Sequence, residues 1–315
     1  MSLIEKAAKR LEELRQAGVE MPGAAQPEAT PEPAIAATVL ERAAARFAEA
    51  QERSSVSPQP TAAGSPAAAP TPIVHLDLGR LAQNGMITPD SQRSQVADEF
   101  RVVKRPLLSN ATGRGAALVR NGNLIMVTSA LPGEGKSFTA VNLAMSIAME
   151  LDHTVLLVDA DVARPSLPRM LGLPVSRGLL DVLVEDSIDL RGALLKTDVE
   201  KLSILPAGTQ HSRATELLAS DAMNRLLDDM ASRYSDRIII FDSPPLLVTT
   251  ESRVLATHMG QVVVVVEAQR TQQSAVRQAL ATIEACPVKM MLLNKGQAAS
   301  RSDTYGYGYG YGYGH

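Results

Sequence analysis

A doubly wound, mostly parallel α/β sheet with helices on both faces, preceded by a flexible N-terminal arm, is the fold this sequence predicts. Three observations carry it. Short apolar, β-branched runs recur beyond residue 120, at 124–128, 154–158, 202–205, 237–241, 262–266 and 288–293. Helical periodicity separates them, most clearly at 136–150, 214–233 and 271–285. The runs lack in/out alternation, which suits strands covered on both faces. Ligands of such sheets bind beyond the carboxyl ends of the strands, so the chemistry belongs just after each run.

Taken in order, residues 2–17 read as a short amphipathic helix. Leu3, Ala7, Leu11 and Leu14 share a stripe, Ser2 with Glu5 makes a capping-box pattern, and Gly18 is a natural stop. Residues 21–72 then hold 9 Pro and 16 Ala, a semi-extended linker composition, with a helical stretch expected at 38–52 around Phe47. The linker ends near Ile73. Thr88 and Pro89 have the character of an N-cap and first helical position, opening a helix that Pro106 should stop.

Composition narrows the function classes. The 31 Lys and Arg against 34 Asp and Glu give a net charge of -3, so no global basic field speaks for nucleic acid. A single cysteine, Cys286, excludes an intrachain disulfide and any multi-cysteine metal site, and fits a reducing compartment such as the cytoplasm. The run Val262–Val266 is far shorter than the roughly 18 residues that span a bilayer, and the N-terminus lacks a signal-type apolar region. The expectation is a soluble chain whose membrane business goes through a partner or a surface helix. Only 3% of residues are aromatic, yet five of the six tyrosines fall in the last eleven positions, alternating with glycine.

The first run is followed by Ser129-Ala130-Leu131-Pro132-Gly133-Glu134-Gly135-Lys136-Ser137 and a helix. This is the order a phosphate cradle needs: backbone N–H groups to wrap the oxygens, a lysine for the β and γ phosphates, and a hydroxyl for Mg²⁺. Ala130 replaces the usual first glycine. Pro132, Gly133, Glu134, Gly135, Lys136, Ser137 and Phe138 are the candidate nucleotide-binding residues of a P-loop NTPase; a chance turn containing Gly-Lys-Ser is the bland alternative. The second run ends in Asp159-Ala160-Asp161, a carboxylate pair able to hold Mg²⁺ and take a proton from an incoming hydroxyl, or else a simple cap of the next segment. Ile238-Ile239-Ile240-Phe241-Asp242 is a Walker B pattern, weak alone and strong as the third of a set. The candidate metal set is Ser137, Asp159 and Asp242, and the candidate catalytic set is Lys136, Asp159 and Asp161.

With LPGEGKS, VLLVDAD, RPSLPRMLGL with GLLDVL, LPAG with ATELLAS, and IIIFDSPPLL, residues 76–315 resemble the bacterial tyrosine kinases of exopolysaccharide export, closest to the autokinases associated with exosortase systems. The resemblance implies that Lys136, Asp159, Asp161 and Asp242 serve ATP and Mg²⁺, with Asp161 activating the tyrosine. It implies Tyr305, Tyr307, Tyr309, Tyr311 and Tyr313 as phosphoacceptors. It also implies a cytoplasmic protein recruited to the inner membrane, with a membrane-embedded chain-length regulator, a homo-oligomeric ring and a protein tyrosine phosphatase as partners. The chain then divides into an amphipathic helix (1–20), a linker (21–72), a lead-in with an oligomerisation helix (73–120), a P-loop kinase domain (121–294) and a phosphoacceptor tail (295–315).

Departures from the family pattern are local. A basic residue expected two positions after Asp161 is Ala163, with Arg164 one step later. The oligomer-forming Glu, Arg, Arg triplet at three-residue spacing is matched by Asp98, Arg101 and Lys104, where Lys lacks the arginine fork; an exposed helix face with i, i+3 charges is the alternative. The Min and Par partitioning ATPases are the rival family, but Leu131 stands where their signature lysine belongs, and a tail of regularly spaced tyrosines goes unexplained. A non-catalytic nucleotide-binding adaptor is the third reading. Asn294 stands where related ATPases touch adenine, or is an ordinary turn asparagine. His75, His153, His211, His258 and His315 lack ligand spacing, and Met290-Met291 reads as core. The N-terminal helix, nearly charge-balanced, reads as a solvated face with a protein-docking stripe.

Overall fold

A computed structural model describes residues 73–90, 94–185, 187–233 and 237–296. The helices expected at 2–17 and 38–52, Tyr234 and the five tail tyrosines lie outside the described residues. Eight strands form one sheet: β1 (Ile73–Val74), β2 (Leu124–Ser129), β3 (Thr154–Asp159), β4 (Leu195–Thr197), β5 (Leu202–Leu205), β6 (Arg237–Asp242), β7 (Gln261–Glu267) and β8 (Val288–Asn294). Their order across the sheet is β1-β4-β5-β3-β6-β2-β7-β8, and every neighbouring pair is parallel except β4 with β5. The six expected runs are six of these strands. Strands β1 and β4, of two and three residues, are too short to show a period.

Both faces are covered, as the unbroken apolar runs require. On one face Ile125, Val127, Leu157, Ile240 and Val263 pack beneath α1 (Leu78–Gln83), α2 (Gln95–Ala111), α3 (Lys136–Ala148) and α4 (Leu167–Leu171). On the other, Met126, Leu156, Phe241 and Val264 meet α5 (Leu179–Val184), α6 (Leu190–Ala193), α7 (Ala214–Leu218), α8 (Asp221–Arg233), α9 (Glu251–Ala256) and α10 (Gln273–Ala281). Each such side chain withdrawn from water stabilises the fold by roughly 1.5–3 kcal/mol. No described helix is long and apolar enough to cross a membrane.

Local expectations needed four corrections. Helix α2 starts at Gln95, not after Thr88, because Ser94 Oγ accepts the Ala97 N–H and caps it, while Thr88 is buried. Nor does Pro106 end α2. Leu107 is wholly buried, and its carbonyl accepts a hydrogen bond from Gln261 Nε2 (3.0 Å), so tertiary anchoring carries the helix past the proline. The expected helix 214–233 is two, α7 and α8, parted at Ala219-Ser220, where the Ser220 hydroxyl bonds the Leu217 carbonyl and accepts from Met223 N–H. Strand β8 alternates after all: at the sheet edge only one of its faces is packed, so Met290 is partly buried whereas Met291 is 65% exposed.

The expected oligomerisation triplet also divides. Asp98 and Arg101 are exposed and paired with each other. Lys104 instead is buried, its ammonium donating to Ser146 O (2.6 Å) and pairing with Glu150 (2.6 Å) at the carboxyl end of α3. Position explains the split: a lysine on the inward stripe of α2 meets the negative end of the helix packed against it.

Candidate active site

Parallel pairing assembles the site. Strand β2 lies between β6 and β7, and β3 borders β6, so the segments after β2, β3 and β6 emerge together. Val127 is register partner to Asp242, which in turn is partner to Asp159. The loop between β2 and α3 turns through Gly133 (φ 85°) and Gly135 (φ 98°). At Gly135 a Cβ would also lie 2.0 Å from Asn294 Nδ2, so only glycine fits.

Lys136 is the centre. Its ammonium donates to Asp161 Oδ2 (2.8 Å) and lies 3.7 Å from Asp242 Oδ1 and 3.4 Å from Ser137 Oγ. Burial by itself would lower the lysine pKa, but Asp242 and Asp161 outweigh it and hold the amine protonated, above its ordinary range. Asp161 also accepts the Arg164 N–H (3.2 Å), which fixes the turn after β3. Asp159 accepts Leu167 N–H (3.1 Å); burial first, and then the charge of Asp242, push its pKa up to about 7. Asp242, fully buried, is raised by desolvation against the opposing pull of Lys136.

The expected residues are therefore brought together, with qualifications for three loop members. Pro132 is exposed. Glu134 is buried at 2% exposure and turned back into the loop, where its carboxylate accepts the Leu131 N–H (2.8 Å) and the Thr271 hydroxyl. The Phe138 ring packs into the core beneath α3, leaving the backbone amide as its group at the helix start. Asn294 is the last residue of β8 rather than a turn residue, and its Nδ2 donates to Glu134 O (2.9 Å).

Three residues were missed. Ser166 Oγ reaches both Ser137 Oγ (2.8 Å) and Asp242 Oδ2 (3.2 Å). Thr271 and Lys295 brace the loop from the far side, the lysine donating to Gly133 O (2.7 Å) and pairing with Glu267 (3.3 Å). Ser166 carried a faint signal inside the RPSLPRM run; Thr271 and Lys295 carried none, since their contacts span more than a hundred residues.

The donor set fits a nucleotide with Mg²⁺. Asp159 Oδ1 and Asp242 Oδ1 are buried without hydrogen-bond partners, a costly arrangement unless a cation is to be met there. Among the described residues no three acidic, imidazole or thiol side chains could hold a metal ion by themselves. Mg²⁺ takes one or two carboxylates and completes its shell with water and substrate phosphates, a donor set that Asp159 and Asp242 with Ser137 nearby could supply.

Fold and site together define a P-loop nucleotide-dependent enzyme. The chain belongs to the AAA domain family, whose model matches residues 122–294, and its relatives are bacterial tyrosine-protein kinases. It is 29% identical over 229 residues to the tyrosine-protein kinase YwqD of Bacillus subtilis, covering 72% of this chain and 92% of that protein. It is 32% identical over 198 residues to the succinoglycan biosynthesis transport protein ExoP of Rhizobium meliloti, covering 62% of this chain but only 24% of ExoP. Among solved structures the VpsO kinase domain aligns with a TM-score of 0.52 and 28% identity, over 65% of this chain and all of that one. The enzyme class is protein-tyrosine kinase.

Proposed function

We propose that this chain is an ATP- and Mg²⁺-dependent autokinase that phosphorylates its own C-terminal tyrosines, Tyr305, Tyr307, Tyr309, Tyr311 and Tyr313, in the service of exopolysaccharide synthesis or export. The observation that carries the reading is Lys136 held between Asp161 and Asp242, beside buried oxygens of Asp159 and Asp242 that accept no hydrogen bond. Lys136 and the loop amides bind the β and γ phosphates. Ser137, Asp159 and Asp242 are the residues that hold Mg²⁺, which when bound neutralises charge on the phosphates and the leaving group. Asp161 is the base: the tyrosine oxygen forms a bond to the γ phosphorus, the bond to ADP breaks with its electron pair, and the phenolic proton passes to the carboxylate.

Names among the relatives support the setting. ExoP is a succinoglycan biosynthesis transport protein. A membrane-embedded chain-length regulator is the partner we assign to this chain, which works on the cytoplasmic side, as a homo-oligomeric ring, opposed by a protein tyrosine phosphatase. Leu131, 40% exposed where a Min or Par ATPase carries its signature lysine, offers no cation to a neighbour. The test is phosphopeptide mapping after incubation with ATP and Mg²⁺, alongside Lys136→Met. Phosphotyrosine in the tail of the wild type and none in the variant is the expected result; ATP binding with no phosphotyrosine in either makes the chain an adaptor.

A further inference from the structure

Strand β8 is the outer strand of the sheet and, among the described residues, pairs with β7 alone. Lys289 is its one charged residue and it holds no proline, so the edge lacks most of the devices that guard an unpaired strand. Met290 and Leu292 pack into the layer beneath α3. Met291 and Leu293 stand on the opposite face, where they are 65% and 70% exposed. Beside them runs a groove of ≈ 510 Å³, walled by Val266 of β7 and by Val276, Arg277 and Leu280 of α10. An apolar trough thus lies along the same edge that offers unpaired backbone groups.

Where the chain goes next names the occupant. Lys295 leaves the strand in the left-handed region (φ 57°) and its ammonium donates to Gly133 O (2.7 Å), so the exit is fixed at the end of β8. Further on, tyrosine and glycine alternate strictly from Tyr305 to Gly314. A period of two is the period of a strand, which sets every tyrosine on one side and every glycine on the other. Tyrosine also favours strands. Residues 295–304 exceed the roughly two to five residues of an ordinary hairpin loop, enough to bring the alternating segment back antiparallel to β8. Residues opposite each other in an antiparallel pair share a face. A register with Tyr305 opposite Leu293 therefore sets Tyr307 opposite Met291, with the rings over the trough rather than over the packed side.

We propose that the unphosphorylated tail docks here, as a further strand on β8 of its own chain, with its tyrosines in the trough and so withheld from the active site. Each ring brings a large apolar body to Met291, Leu293, Val276 and Leu280, and methionine sulfur is a favourable neighbour of an aromatic edge. Arg277, exposed at the rim and donating to Gln273 Oε1 (3.3 Å), keeps further N–H groups for a phenol oxygen. Tethering favours the chain's own tail over a second copy, because a short flexible tether holds it at a local concentration on the order of millimolar. Docking stands apart from the kinase reading; the withholding of acceptors rests on it.

The experiment uses the full chain carrying Lys136→Met, which keeps the tail free of self-phosphorylation. Two variants are made in that background. Met291→Ser with Leu293→Ser, at exposed positions, strips the trough, and Gly308→Pro with Gly310→Pro breaks the pairing of the tail. The amides of 288–294 should exchange about tenfold more slowly in the parent than in either variant, at every protein concentration. Five of the six tyrosines lie in the tail and the chain has no tryptophan, so tyrosine emission reports on the tail and acrylamide should quench it less in the parent. Equal exchange and quenching in all three proteins overturn the docking. Protection that appears only as concentration rises moves the tail to a second copy and overturns it too. In the active chain, Met291→Ser with Leu293→Ser should raise the initial rate of tail labelling about threefold with KM for ATP unchanged, and an unaltered rate overturns the withholding. An active chain that labels nothing while its Lys136→Met form shows the protection defeats the kinase reading and leaves the docking in place.

Discussion

Asp159 and Asp242 are register partners on adjacent parallel strands, so two buried carboxylates stand side by side at the same end of the sheet. Neither is easily ionised alone: burial, and then the neighbouring charge, lift Asp159 to about 7. Two consequences of opposite sign follow. In metal-free protein the native state keeps a proton that the unfolded chain releases above about 3.8, so this site's stability is greatest at acid pH and is lost as pH rises towards 7. Thermal melts between pH 5 and 8 should fall more steeply for the wild type than for Asp159→Asn. Mg²⁺ needs the ionised pair, so its stabilising effect with nucleotide should grow through pH 7; a shift in melting temperature equal at pH 6 and pH 8 contradicts this.

The Thr271 hydroxyl donates to Glu134 and accepts the Glu267 N–H (3.2 Å), tying the phosphate loop to the end of β7. Thr271→Val should raise KM for ATP about threefold to tenfold, the equivalent of one hydrogen bond of roughly 0.5–1.5 kcal/mol, with a smaller effect on kcat. Thr271→Ser should restore it. A serine variant as impaired as the valine assigns the effect to packing.

Lys104 binds the end of the P-loop helix from inside the protein. Replacing it with Met leaves the Ser146 carbonyl and the Glu150 carboxylate without that donor, at a cost of about 1–3 kcal/mol. Denaturant unfolding should show this loss without any change in oligomeric state, whereas Arg101→Ala, on the exposed face, should leave stability within about 0.5 kcal/mol. The reverse pattern would return Lys104 to the subunit interface.

The sheet was legible because six strands announce themselves by apolar, β-branched runs, and the meeting of Lys136, Asp159, Asp161 and Asp242 at one end of it was legible because each lies in a segment leaving such a run. What escaped was non-local. Nothing near Pro106 says that Gln261, far along the chain, will anchor Leu107 and carry the helix past it. Nothing near Thr271 says that Glu134 will be its partner. Met291 was misjudged because edge position, not composition, decides which face of a strand is covered.

A ten-residue stretch, 295–304, separates β8 from the first tail tyrosine and extends at most about 35 Å. We expect transfer between subunits, so initial phosphorylation rates should rise faster than in proportion to enzyme concentration. Rates strictly proportional to concentration, together with an unlabelled tail on Lys136→Met mixed with active chain, would place transfer within one chain.

Proton transfer from a tail tyrosine to Asp161 is the step on which the proposed mechanism turns. Asp161→Asn keeps the shape and removes the base, and its phosphotyrosine yield, measured beside its ATP affinity in the same preparation, is the direct test. ATP affinity should stay within about threefold of wild type, with labelling of Tyr305, Tyr307, Tyr309, Tyr311 and Tyr313 at least a hundredfold slower. Labelling at the wild-type rate, or loss of ATP binding in step with loss of transfer, contradicts it.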